Sequence, residues 1–541
     1  MNFIESIIQR LTSNPDYPMI TEMLGERPIP VASSKILELI GRGRTTLDEL
    51  GVTAGDRVVL LAPNSHRWVA ADLSILSAGA IVVPMYARQN PAELVEMMHD
   101  CEPKAVVVAS PQLGKAITEV WPEAPITTFS AFFDSEASTH PPVERNEDSE
   151  VTIIYTSGST GSPKGVVTTI GNTDFMLGAT RQALENLLAH NEHAERMFHY
   201  LPFCFAGSRI TLWTQLLRGI GLVISTDLNA LIDELKGAQP TYFLNVPMLL
   251  ERIKNGVEAK IREKPAPVQW LYDAGKKGFM RMSANEARPG DALAWRLSRK
   301  VILRKIRMQI GPKLQCLICG SAPLGEDTQR WFEMLEIPVY QIYGLTETTA
   351  IVTIDHPDKV TPGRVGPAIN GIETKLGEGE ELLVRGPNIF ARYWNRPEST
   401  AAAFVDGWFR TGDRADIDAH GNWRIVGRVK NLLVPTSGHN VAPEPIEQQL
   451  VETIEGVEHA VLIGHARPFI TAIITGETTA AALEEGVELV NKGLPHYRRI
   501  RTFHHSKTPF TIENGLLTAN QKIRRNHIEK AYSDQVEAMY S

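Results

Sequence analysis

The residues best suited to chemistry stand in one loop, which directly follows an apolar segment at residues 151–155. Residues 156–165 read T-S-G-S-T-G-S-P-K-G, which combines glycines, hydroxyl side chains and one lysine. Glycines let a backbone approach a ligand closely, while amides, hydroxyls and a lysine attract anions, phosphate above all. A mobile Ser/Gly linker is the plain alternative, but a linker seldom follows a buried strand and ends in Pro-Lys-Gly. The loop therefore predicts a phosphate site formed by Thr156, Ser157, Gly158, Ser159, Thr160, Gly161 and Lys164.

Two familiar phosphate loops do not fit this sequence. Pro163 stands where a P-loop requires the glycine before its lysine, and the glycine spacing does not match the dinucleotide fingerprint. The loop instead resembles, at every position of T-S-G-S-T-G-x-P-K-G, the phosphate loop of the adenylate-forming superfamily. That superfamily includes acyl-CoA synthetases, luciferases and the adenylation domains of peptide synthetases.

Two further segments resemble the same superfamily, in the same order along the chain. Residues 320–324 (G-S-A-P-L) are similar to the loop that lies against adenine, and residues 340–348 are similar to the Y-G-x-T-E motif. The resemblance implies that Thr346 contacts the α-phosphate and that Glu347 helps to hold Mg²⁺, a cation that prefers carboxylate oxygens and keeps substrate phosphates as ligands. The implied nucleotide-binding residues of the two segments are Gly320, Ser321, Ala322, Tyr343, which would stack near adenine, and Gly344.

Two later motifs extend the resemblance. Residues 408–413 match W-x-x-T-G-D, in which Asp413 would accept hydrogen bonds from both ribose hydroxyls, as suits a carboxylate facing a vicinal diol. Residues 514–522 are similar to N-G-x-L-T-x-x-x-K, which implies that Lys522 is the catalytic lysine. By itself Lys522 would be one surface lysine among many. With Thr346 and Glu347 it completes the predicted catalytic set.

One more motif, at residues 427–430, falls on a domain boundary that the pattern of apolar and polar residues indicates independently. In the first two thirds of the chain, short apolar runs alternate with amphipathic stretches, which predicts βαβ units and largely parallel sheets. Later apolar runs are short and separated by turn residues, which is typical of antiparallel strands, and they end at a polar linker at residues 427–430. This linker matches G-R-x-K, which implies Arg428 near the ribose or phosphates and Lys430 at a hinge. We therefore predict an adenylation body of residues 1–429 and a mobile domain of residues 430–541.

The predicted fold class is α/β. It consists of a large N-terminal body of βαβ subdomains with a distorted antiparallel β subdomain, plus a small α+β C-terminal domain. The predicted strands of the body include residues 56–63, 80–84, 105–109, 151–155, 221–225 and 338–342, with helices at 90–99 and 228–237. The antiparallel strands are predicted at 378–384, 408–409, 415–417 and 423–426. The C-terminal domain is predicted to hold a helix at 443–453, a strand pair around 460–463 and 471–475, and a charged terminal helix.

Three segments resemble one branch of the superfamily, the long-chain acyl-CoA synthetases, and one of them is residues 297–324, a basic helix that leads into the strand before G-S-A-P. Residues 437–447 resemble the G-x-N-V-x-P-x-x-I-E segment of long-chain acyl-CoA synthetases, and residues 200–209 align with L-P-L-x-H-x-x-x-R of the same branch. Phe205 stands where that branch usually has the histidine that lines the acyl pocket. Phe205 is therefore either a pocket residue that alters acid selectivity or an ordinary core aromatic. We place Phe205 and Arg209 in the predicted acyl pocket.

The resemblance implies a ligase that uses ATP, Mg²⁺ and coenzyme A. A carboxylic acid, a medium- or long-chain fatty acid by the likeness, would form acyl-AMP with release of pyrophosphate, and the thiol of CoA would then displace AMP. Alternatively, the acyl group passes to the phosphopantetheine of a carrier protein or to an internal nucleophile that closes a β-lactone. A non-catalytic adenylate-binding regulator is disfavoured because Lys522, Glu347 and Asp413 are all retained.

Composition sets the remaining limits. The 541 residues, 43% hydrophobic and 22% charged, are typical of a multidomain globular protein, and the net charge of -8 disfavours nucleic-acid binding. The basic cluster at residues 498–501 is interpreted as a solvated face. The N-terminal residues lack a signal-peptide pattern and no apolar stretch reaches about 20 residues, so we expect a cytoplasmic protein with at most transient membrane contact. Four cysteines make no disulfide framework, and Cys316 and Cys319 are interpreted as buried strand residues rather than a zinc or redox half-site.

Overall fold

The computed structural model describes residues 1–156, 163–189, 194–518 and 521–541. Strands alternate with helices through most of the body. The strands are β1 (Ile20–Leu24), β2 (Arg27–Val31), β3 (Arg57–Leu61), β4 (Ile81–Met85), β5 (Ala105–Val108), β6 (Ile126–Thr128), β7 (Glu150–Thr156), β8 (Lys164–Thr169), β9 (Met197–His199), β10 (Leu222–Ile224), β11 (Tyr242–Asn245), β12 (Leu317–Cys319), β13 (Val339–Tyr343), β14 (Thr353–Ile354), β15 (Glu373–Leu376), β16 (Glu381–Arg385), β17 (Arg392–Tyr393), β18 (Phe404–Val405), β19 (Trp408–Ile417), β20 (Trp423–Arg428), β21 (Val457–Ile463), β22 (Ile470–Gly476) and β23 (Ile500–Ser506).

The helices fill the intervals between these strands. They are α1 (Phe3–Ser13), α2 (Ser33–Glu49), α3 (His66–Ser77), α4 (Pro91–Cys101), α5 (Pro111–Thr118), α6 (Phe129–Phe132), α7 (Ile170–Leu187), α8 (Ala206–Arg218), α9 (Leu231–Ala238), α10 (Pro247–Arg262), α11 (Ala266–Ser283), α12 (Asp291–Ser298), α13 (Arg304–Ile310), α14 (Glu326–Met334), α15 (Pro397–Ala402), α16 (Glu444–Thr453), α17 (Ala480–Lys492), α18 (Arg525–Ala531) and α19 (Ser533–Tyr540). Short 3₁₀ turns cover Leu228–Ala230, Thr346–Thr348, Pro357–Lys359, Glu378–Glu380, Val429–Asn431 and His496–Arg498, and a π-helical segment covers Arg299–Leu303.

The first sheet has the strand order β17-β8-β7-β4-β3-β5-β6. Strands β7, β4, β3, β5 and β6 are parallel, and β4, β3 and β5 carry continuous apolar runs whose side chains are buried on both faces of the sheet. Strand β8 instead runs back antiparallel to β7, with Thr156 opposite Lys164 at the end of the hairpin from which the connecting loop departs. The phosphate motif of the sequence therefore begins where a buried strand ends.

The second sheet has the order β14-β13-β12-β11-β9-β10-β1-β2. Strands β13, β12, β11, β9, β10 and β1 are parallel neighbours, and antiparallel β14 and β2 form its two edges. The carboxyl ends of β12 and β13 lie side by side, with Cys319 opposite Gln341. The loops that follow these two strands, residues 320–324 and 344–348, are thus brought to one edge of the sheet, where α/β folds bind ligands.

The antiparallel subdomain is the sheet β15-β16-β19-β18, with β20 paired to β19. The prediction of separate strands at 408–409 and 415–417 is wrong, because one strand, β19, spans the whole region. Gly412 has a φ of +69°, and the pairing register shifts between Arg414 and Ala415, so the strand bulges rather than ends. The strand predicted at 378–384 begins late, at Glu381, because a 3₁₀ turn with Gly379 at φ +66° precedes it.

The C-terminal residues form the sheet β21-β22-β23, antiparallel between the first two strands and parallel between the last two. Helices α16 and α17 cover one face, and α18 and α19 cover the other. Strand β23 went unpredicted because its threonine, histidine and serine side chains weaken the apolar signal. The predicted terminal helix is interrupted at Tyr532, which separates α18 from α19. The helix predicted at 228–237 begins as a 3₁₀ turn and continues as α9.

The predicted α/β fold class is confirmed, with a large N-terminal body and a smaller C-terminal sheet domain. All four cysteines are buried and unpaired, and Cys319 ends strand β12, which agrees with a structural role for the Cys316–Cys319 pair. Within the described ranges, no group of three or more ligating side chains could hold a metal ion. Among the helices described, none is long and apolar enough to cross a membrane.

A buried ion pair joins a helix that packs on the first large sheet to a helix that packs on the second. Arg209 on α8 pairs with Asp72 on α3, and their side chains are 1% and 0% exposed. Arg209 also donates to the hydroxyl of Thr152 on β7, and the indole of Trp213 donates to the second Asp72 carboxylate oxygen at 2.9 Å. Helix α3 links two strands of the first sheet and α8 two strands of the second. The pair therefore fixes both sheets against each other.

Replacing Arg209 should destabilise the body, because it leaves the Asp72 carboxylate buried without its cation. Arg209→Met should lower the free energy of unfolding by about 3–5 kcal/mol, measured as a shift of the thermal midpoint. Burial raises the pKa of Asp72, so the lone carboxyl binds a proton in the folded state at a pH where the unfolded state has lost it. The stability deficit should therefore grow as the pH rises above the unfolded-state value of about 3.9.

The double variant Asp72→Asn, Arg209→Met is the matched control, because it lacks the buried carboxyl at position 72 whose titration is tested. It should be less destabilised than the single variant at neutral pH, and its deficit should not depend on pH. A deficit of Arg209→Met that is equal at both ends of the pH range would contradict a role for the Asp72 charge.

Candidate active site

The two sequence-predicted adenine segments lie at the carboxyl ends of neighbouring strands. Gly320, Ser321 and Ala322 follow β12, and Tyr343 ends β13 with Gly344 directly after it. Gly344 must be glycine, since a Cβ there would stand 1.7 Å from the carbonyl oxygen of Ala350. The tight turn that results places the 3₁₀ turn Thr346–Thr348 beside the end of the strand.

Asp413 is the centre of the polar contacts in the site. The hydroxyl of Tyr343 donates to Asp413 Oδ2 at 2.5 Å, and Arg428 Nε lies 2.7 Å from Asp413 Oδ1. Asp413 and Arg428 face each other across the paired strands β19 and β20. Burial raises the pKa of the Asp413 carboxyl, and the Arg428 charge and the Tyr343 hydrogen bond oppose that rise. A carboxylate offers about four acceptor positions, so Asp413 keeps capacity for two further donors.

Glu347 and Lys164 both contact Tyr393, a residue that the sequence did not single out. The hydroxyl of Tyr393 donates to Glu347 Oε1 at 2.9 Å, and Lys164 Nζ lies 5.2 Å from the centre of the Tyr393 ring. Tyr393 is held there because β17 pairs with β8, opposite Val166. Neither residue type nor spacing marks Tyr393 in the sequence, since its role depends on an edge strand more than 200 residues away from β8 in the chain.

The side chain of Lys522 faces the same cleft. It is exposed to the solvent that fills the cleft, yet it lies near enough to Arg428, Asp413 and Glu347 for their charges to act on it. The surrounding protein lowers the pKa of Lys522, as does the Arg428 charge, while Asp413 and Glu347 raise it. Its backbone is fixed by Thr518, whose N–H donates to the Lys522 carbonyl at 2.8 Å and whose hydroxyl accepts from the Lys522 N–H at 3.1 Å.

Lys430 lies in the 3₁₀ turn Val429–Asn431, directly after β20. Burial and the Arg428 charge lower the pKa of Lys430 to about 8, with a smaller contribution from Lys164. The carboxylate of Glu444 spans this turn, since it accepts from Asn431 Nδ2 at 2.7 Å and from the Arg428 N–H at 3.4 Å. The C-terminal residues also contact the body through Arg524 and Glu93, 3.1 Å apart.

These contacts define the central cleft, a space bordered by the cations Lys164, Arg428, Lys430 and Lys522 and by the carboxylates Asp413 and Glu347. Four cations that converge on one space form an electrostatic site for a polyanion. The two carboxylates provide acceptors for hydroxyl groups or a ligand for a hard cation. The arrangement therefore has the chemistry of a nucleoside polyphosphate site.

The loop residues Ser157, Gly158, Ser159, Thr160 and Gly161 lie outside the described residues. Thr156 and Lys164, at the two ends of the loop, are register partners, and the Thr156 hydroxyl donates to the Lys164 carbonyl at 3.4 Å. The loop thus leaves and re-enters the sheet at one point, next to Tyr393 and Glu347. Phosphate binding by this loop stays a prediction.

The two residues predicted for the acyl pocket lie in different environments. Phe205 precedes helix α8 and is half-buried, with its ring 5.9 Å from that of Tyr86. Arg209 is occupied by Asp72, although it also lines a narrow cavity that reaches Thr346. A larger cavity of about 570 Å³ lies near the amino end of β13, around Arg307, and contains none of the predicted nucleotide residues. We therefore base the site on the convergence of charges rather than on cavity size.

Two families match the chain. Residues 38–394 match the AMP-binding enzyme family, and residues 430–541 match the AMP-binding enzyme C-terminal domain. Among curated proteins, the long-chain-fatty-acid–CoA ligase FadD15 of Mycobacterium tuberculosis is 26% identical, with 100% of this chain and 97% of FadD15 aligned. The long-chain-fatty-acid–CoA ligase ACSBG2 of Xenopus laevis is 25% identical, with 91% of this chain and 77% of ACSBG2 aligned.

Solved structures share the fold at lower sequence identity. The anthranilate CoA ligase AuaEII in complex with anthranoyl-AMP has a TM-score of 0.77 at 19% identity, covering 98% of this chain and 97% of AuaEII. ATP-bound MatB from Rhodopseudomonas palustris has a TM-score of 0.75 at 23% identity, covering 100% of both chains. At these identities the likeness concerns the fold, whereas the family match extends over more than half of the sequence. The chain therefore belongs to the family of AMP-binding enzymes.

Proposed function

We propose that this enzyme joins a carboxylic acid to AMP at the expense of ATP and then transfers the acyl group to coenzyme A. The observation that carries the proposal is the central cleft, in which Lys522 from the C-terminal residues meets Asp413, Arg428 and Glu347 of the body. An adenylating site needs cations for the phosphates, an acceptor for the ribose and a cation for the reacting oxygens. The cleft offers all three.

The nature of the acid and of the acceptor follows from the relatives. The curated proteins that align with nearly the whole chain are named as long-chain-fatty-acid–CoA ligases, which supports a medium- or long-chain fatty acid and CoA. The alternative acceptors are the phosphopantetheine of a carrier protein and an internal nucleophile. Comparing thioester formation with free CoA and with holo-carrier protein distinguishes the first two acceptors, and release of AMP without either thiol would indicate the internal nucleophile. The four unpaired cysteines suit a reducing compartment, so we propose that the enzyme works in the cytoplasm.

The first step is an in-line displacement at the α-phosphorus. A carboxylate oxygen of the acid forms the new P–O bond, and the bond to the bridging oxygen of pyrophosphate breaks. Positioning and charge neutralisation dominate such a reaction. We assign the ribose hydroxyls to Asp413, the β- and γ-phosphates to Lys164 and the loop before it, and the developing charge at the α-phosphate to Lys522 and Thr346.

Glu347 fits the role of a magnesium ligand. Its carboxylate accepts a hydrogen bond from the Tyr393 hydroxyl, and Lys164 of the phosphate motif lies over the ring of the same tyrosine. Magnesium typically takes one or two protein carboxylates and completes its shell with water and substrate phosphates, so a single glutamate suffices. When bound, the ion would neutralise phosphate charge.

The second step forms a C–S bond between the CoA thiol and the acyl carbon, breaks the C–O bond to AMP and releases the thiol proton to water. A thiol can reach the acyl carbon only if the group that covers it leaves. We therefore propose that residues 430–541 turn as a unit against residues 1–429, with Lys430 as the hinge. The turn would separate Arg524 from Glu93 and withdraw Lys522 from the cleft.

Lys522→Ala should abolish adenylation while leaving the fold intact. Removing a group that stabilises transition-state charge typically costs about 3–4 kcal/mol, so acid-dependent exchange of pyrophosphate into ATP should fall by roughly 10²–10³-fold. Lys530→Ala, an exposed lysine on α18, is the matched control and should exchange like the wild type. Unchanged exchange in Lys522→Ala would contradict the assigned role.

Asp413→Asn should weaken ATP binding more than it slows chemistry. Hydrogen bonds to a charged acceptor contribute about 1.5–3 kcal/mol, so the KM for ATP should rise by roughly 10- to 100-fold. Asp406→Asn in the adjoining exposed loop removes the same charge without touching the cleft and should leave the KM unchanged. A rise of equal size in both variants would mean that net charge, not the ribose contact, determines the affinity.

Lys430→Pro should separate the two half-reactions. A 3₁₀ turn has the φ that proline requires, so the conformation seen here is retained, whereas a rotation that changes this φ is blocked. Pyrophosphate exchange should stay within about twofold of wild type and thioester formation should fall at least about tenfold, since the second step requires the turn. Lys430→Ala keeps the backbone free and should support both steps. Parallel loss of both steps in Lys430→Pro would count against a hinge at this residue.

A further inference from the structure

A line of exposed apolar side chains runs along a helix of the body that takes no part in the cleft. The helix covers residues 291–310 and consists of α12, the π-helical segment Arg299–Leu303 and α13. The apolar residues are four, four and seven positions apart, which are one and two helical turns, so they share one face. They are Leu293, Leu297, Val301 and Met308, which are 62%, 48%, 48% and 53% exposed.

The opposite side of the same helix is firmly packed. Ile302, Leu303 and Ile306 are buried in the core of the second sheet's helical layer. The helix is therefore fixed in place by its inner face, and the exposed line is not a by-product of fraying or of a loose end. Single exposed apolar residues are common on protein surfaces, but four of them on one face of one helix point to a binding surface.

Basic side chains accompany this line. Residues 291–310 contain six basic residues and one acidic residue, Asp291, which Arg281 neutralises. In the described part of the structure, four of the basic side chains are exposed and form no ion pair; they are Arg296, Lys300, Arg304 and Lys305. The whole chain carries a net charge of -8, so this positive strip is a local feature and not an average property of the surface.

We propose that the outer face of residues 291–310 docks reversibly on an anionic lipid surface. Apolar side chains flanked by lysine and arginine are typical of helices that lie in the plane of a membrane interface, where the charges meet lipid headgroups. An acid with a long apolar chain partitions into bilayers, so a lipid-docked enzyme would meet its substrate where that substrate accumulates; this second reason rests on the function proposed above.

A second copy of the chain fits this face less well than a lipid surface does. A symmetric dimer would bring the same patch of both copies together, so Lys300 and Arg304 of one copy would face the same cations of the other. Acidic side chains that could relieve this repulsion are lacking on the exposed side of the helix, where Asp291 is buried and already paired. Anionic headgroups provide the missing negative charge.

The test measures binding of the full-length enzyme to vesicles without ATP or acid, so that its outcome is independent of the enzyme's specificity. Vesicles of phosphatidylcholine alone are compared with vesicles of phosphatidylcholine and phosphatidylglycerol by co-sedimentation. The wild type should bind the anionic vesicles, and high salt should release it. The charge-swap variant Lys300→Glu, Arg304→Glu should lose at least about tenfold in partitioning, since each basic residue near such a surface contributes about fivefold.

The matched control is Arg498→Glu, Arg501→Glu, which changes the net charge equally at an exposed basic cluster without an apolar line. It should bind vesicles like the wild type. A second variant, Leu297→Ser, Val301→Ser, should weaken binding without a change of charge. All variants should retain adenylation of a short, water-soluble acid.

Three outcomes would overturn the proposal. One is a wild type that does not bind anionic vesicles, and another is equal loss in the test and control charge swaps. The third is a serine variant that binds vesicles normally but converts a dimer to a monomer in light scattering, which would assign the face to a second copy. If neither the wild type nor any variant adenylates an acid while the wild type still binds vesicles, the proposed function would be contradicted and the proposed docking surface would be retained.

Discussion

A buried carboxylate needs a cation beside it, and in this protein that requirement ties the nucleotide cleft to the hinge. Asp413 is paired with Arg428 across strands β19 and β20. The backbone N–H of Arg428 in turn donates to Glu444, which also binds Asn431 on the far side of Lys430. The pair lies wholly before Lys430, so the rotation proposed at this residue would move Lys522 without separating Asp413 from Arg428.

The same charges explain why the nucleotide itself would hold the two parts of the chain together. Lys164, Arg428, Lys430 and Lys522 converge on one space, and the surrounding protein, followed by the repulsion from the Arg428 charge, lowers the pKa of Lys430 and of Lys522. A triphosphate between them converts that repulsion into attraction. Part of its binding free energy would thus be used to keep Lys522 in the cleft, and release of pyrophosphate would remove this attraction before the second step.

Much of the fold could be predicted from the sequence, because buried parallel strands appear as uninterrupted apolar runs. Strands β3, β4, β5 and β7 were found within about two residues in this way. The prediction failed for strands whose sequences are too polar to be identified by an apolar run. Strand β19 contains a polar stretch and a glycine with positive φ, and β23 carries histidine and threonine in place of apolar residues. Both strands are specified by their partners rather than by their own pattern.

The site shows the same division. The resemblance to the motifs of the superfamily predicts Asp413, Arg428 and Lys522, and the folded chain gathers them in one cleft, although their roles stay predictions. Tyr393 carries no local signal, since its contact with Glu347 depends on the pairing of β17 with β8.

Arg209 shows the limit of motif reasoning most clearly. Both Arg209 and Arg428 stand in family-like motifs and both pair with an aspartate. The Arg209 pair is buried and reaches only the narrow cavity beside Thr346, however, whereas the Arg428 side chain still has access to the cleft. Burial depends on the packing of α3 against α8, which no spacing within a motif encodes. The sequence therefore nominates both arginines for ligand binding, and the packed structure adds that Arg209 is already committed to a buried ion pair, while both roles stay predictions.

The position of the basic helix then decides how the enzyme could move while docked. Residues 291–310 belong to the body, and their inner side chains pack into the core of the second sheet's helical layer. The excess negative charge of the chain is repelled by an anionic surface, and the attraction of four cations acts only within a Debye length of about 8–10 Å. Docking would therefore be short-ranged and would orient the molecule by this one face. Because the attachment would be made by the body, it would leave the C-terminal domain free for the turn proposed about Lys430.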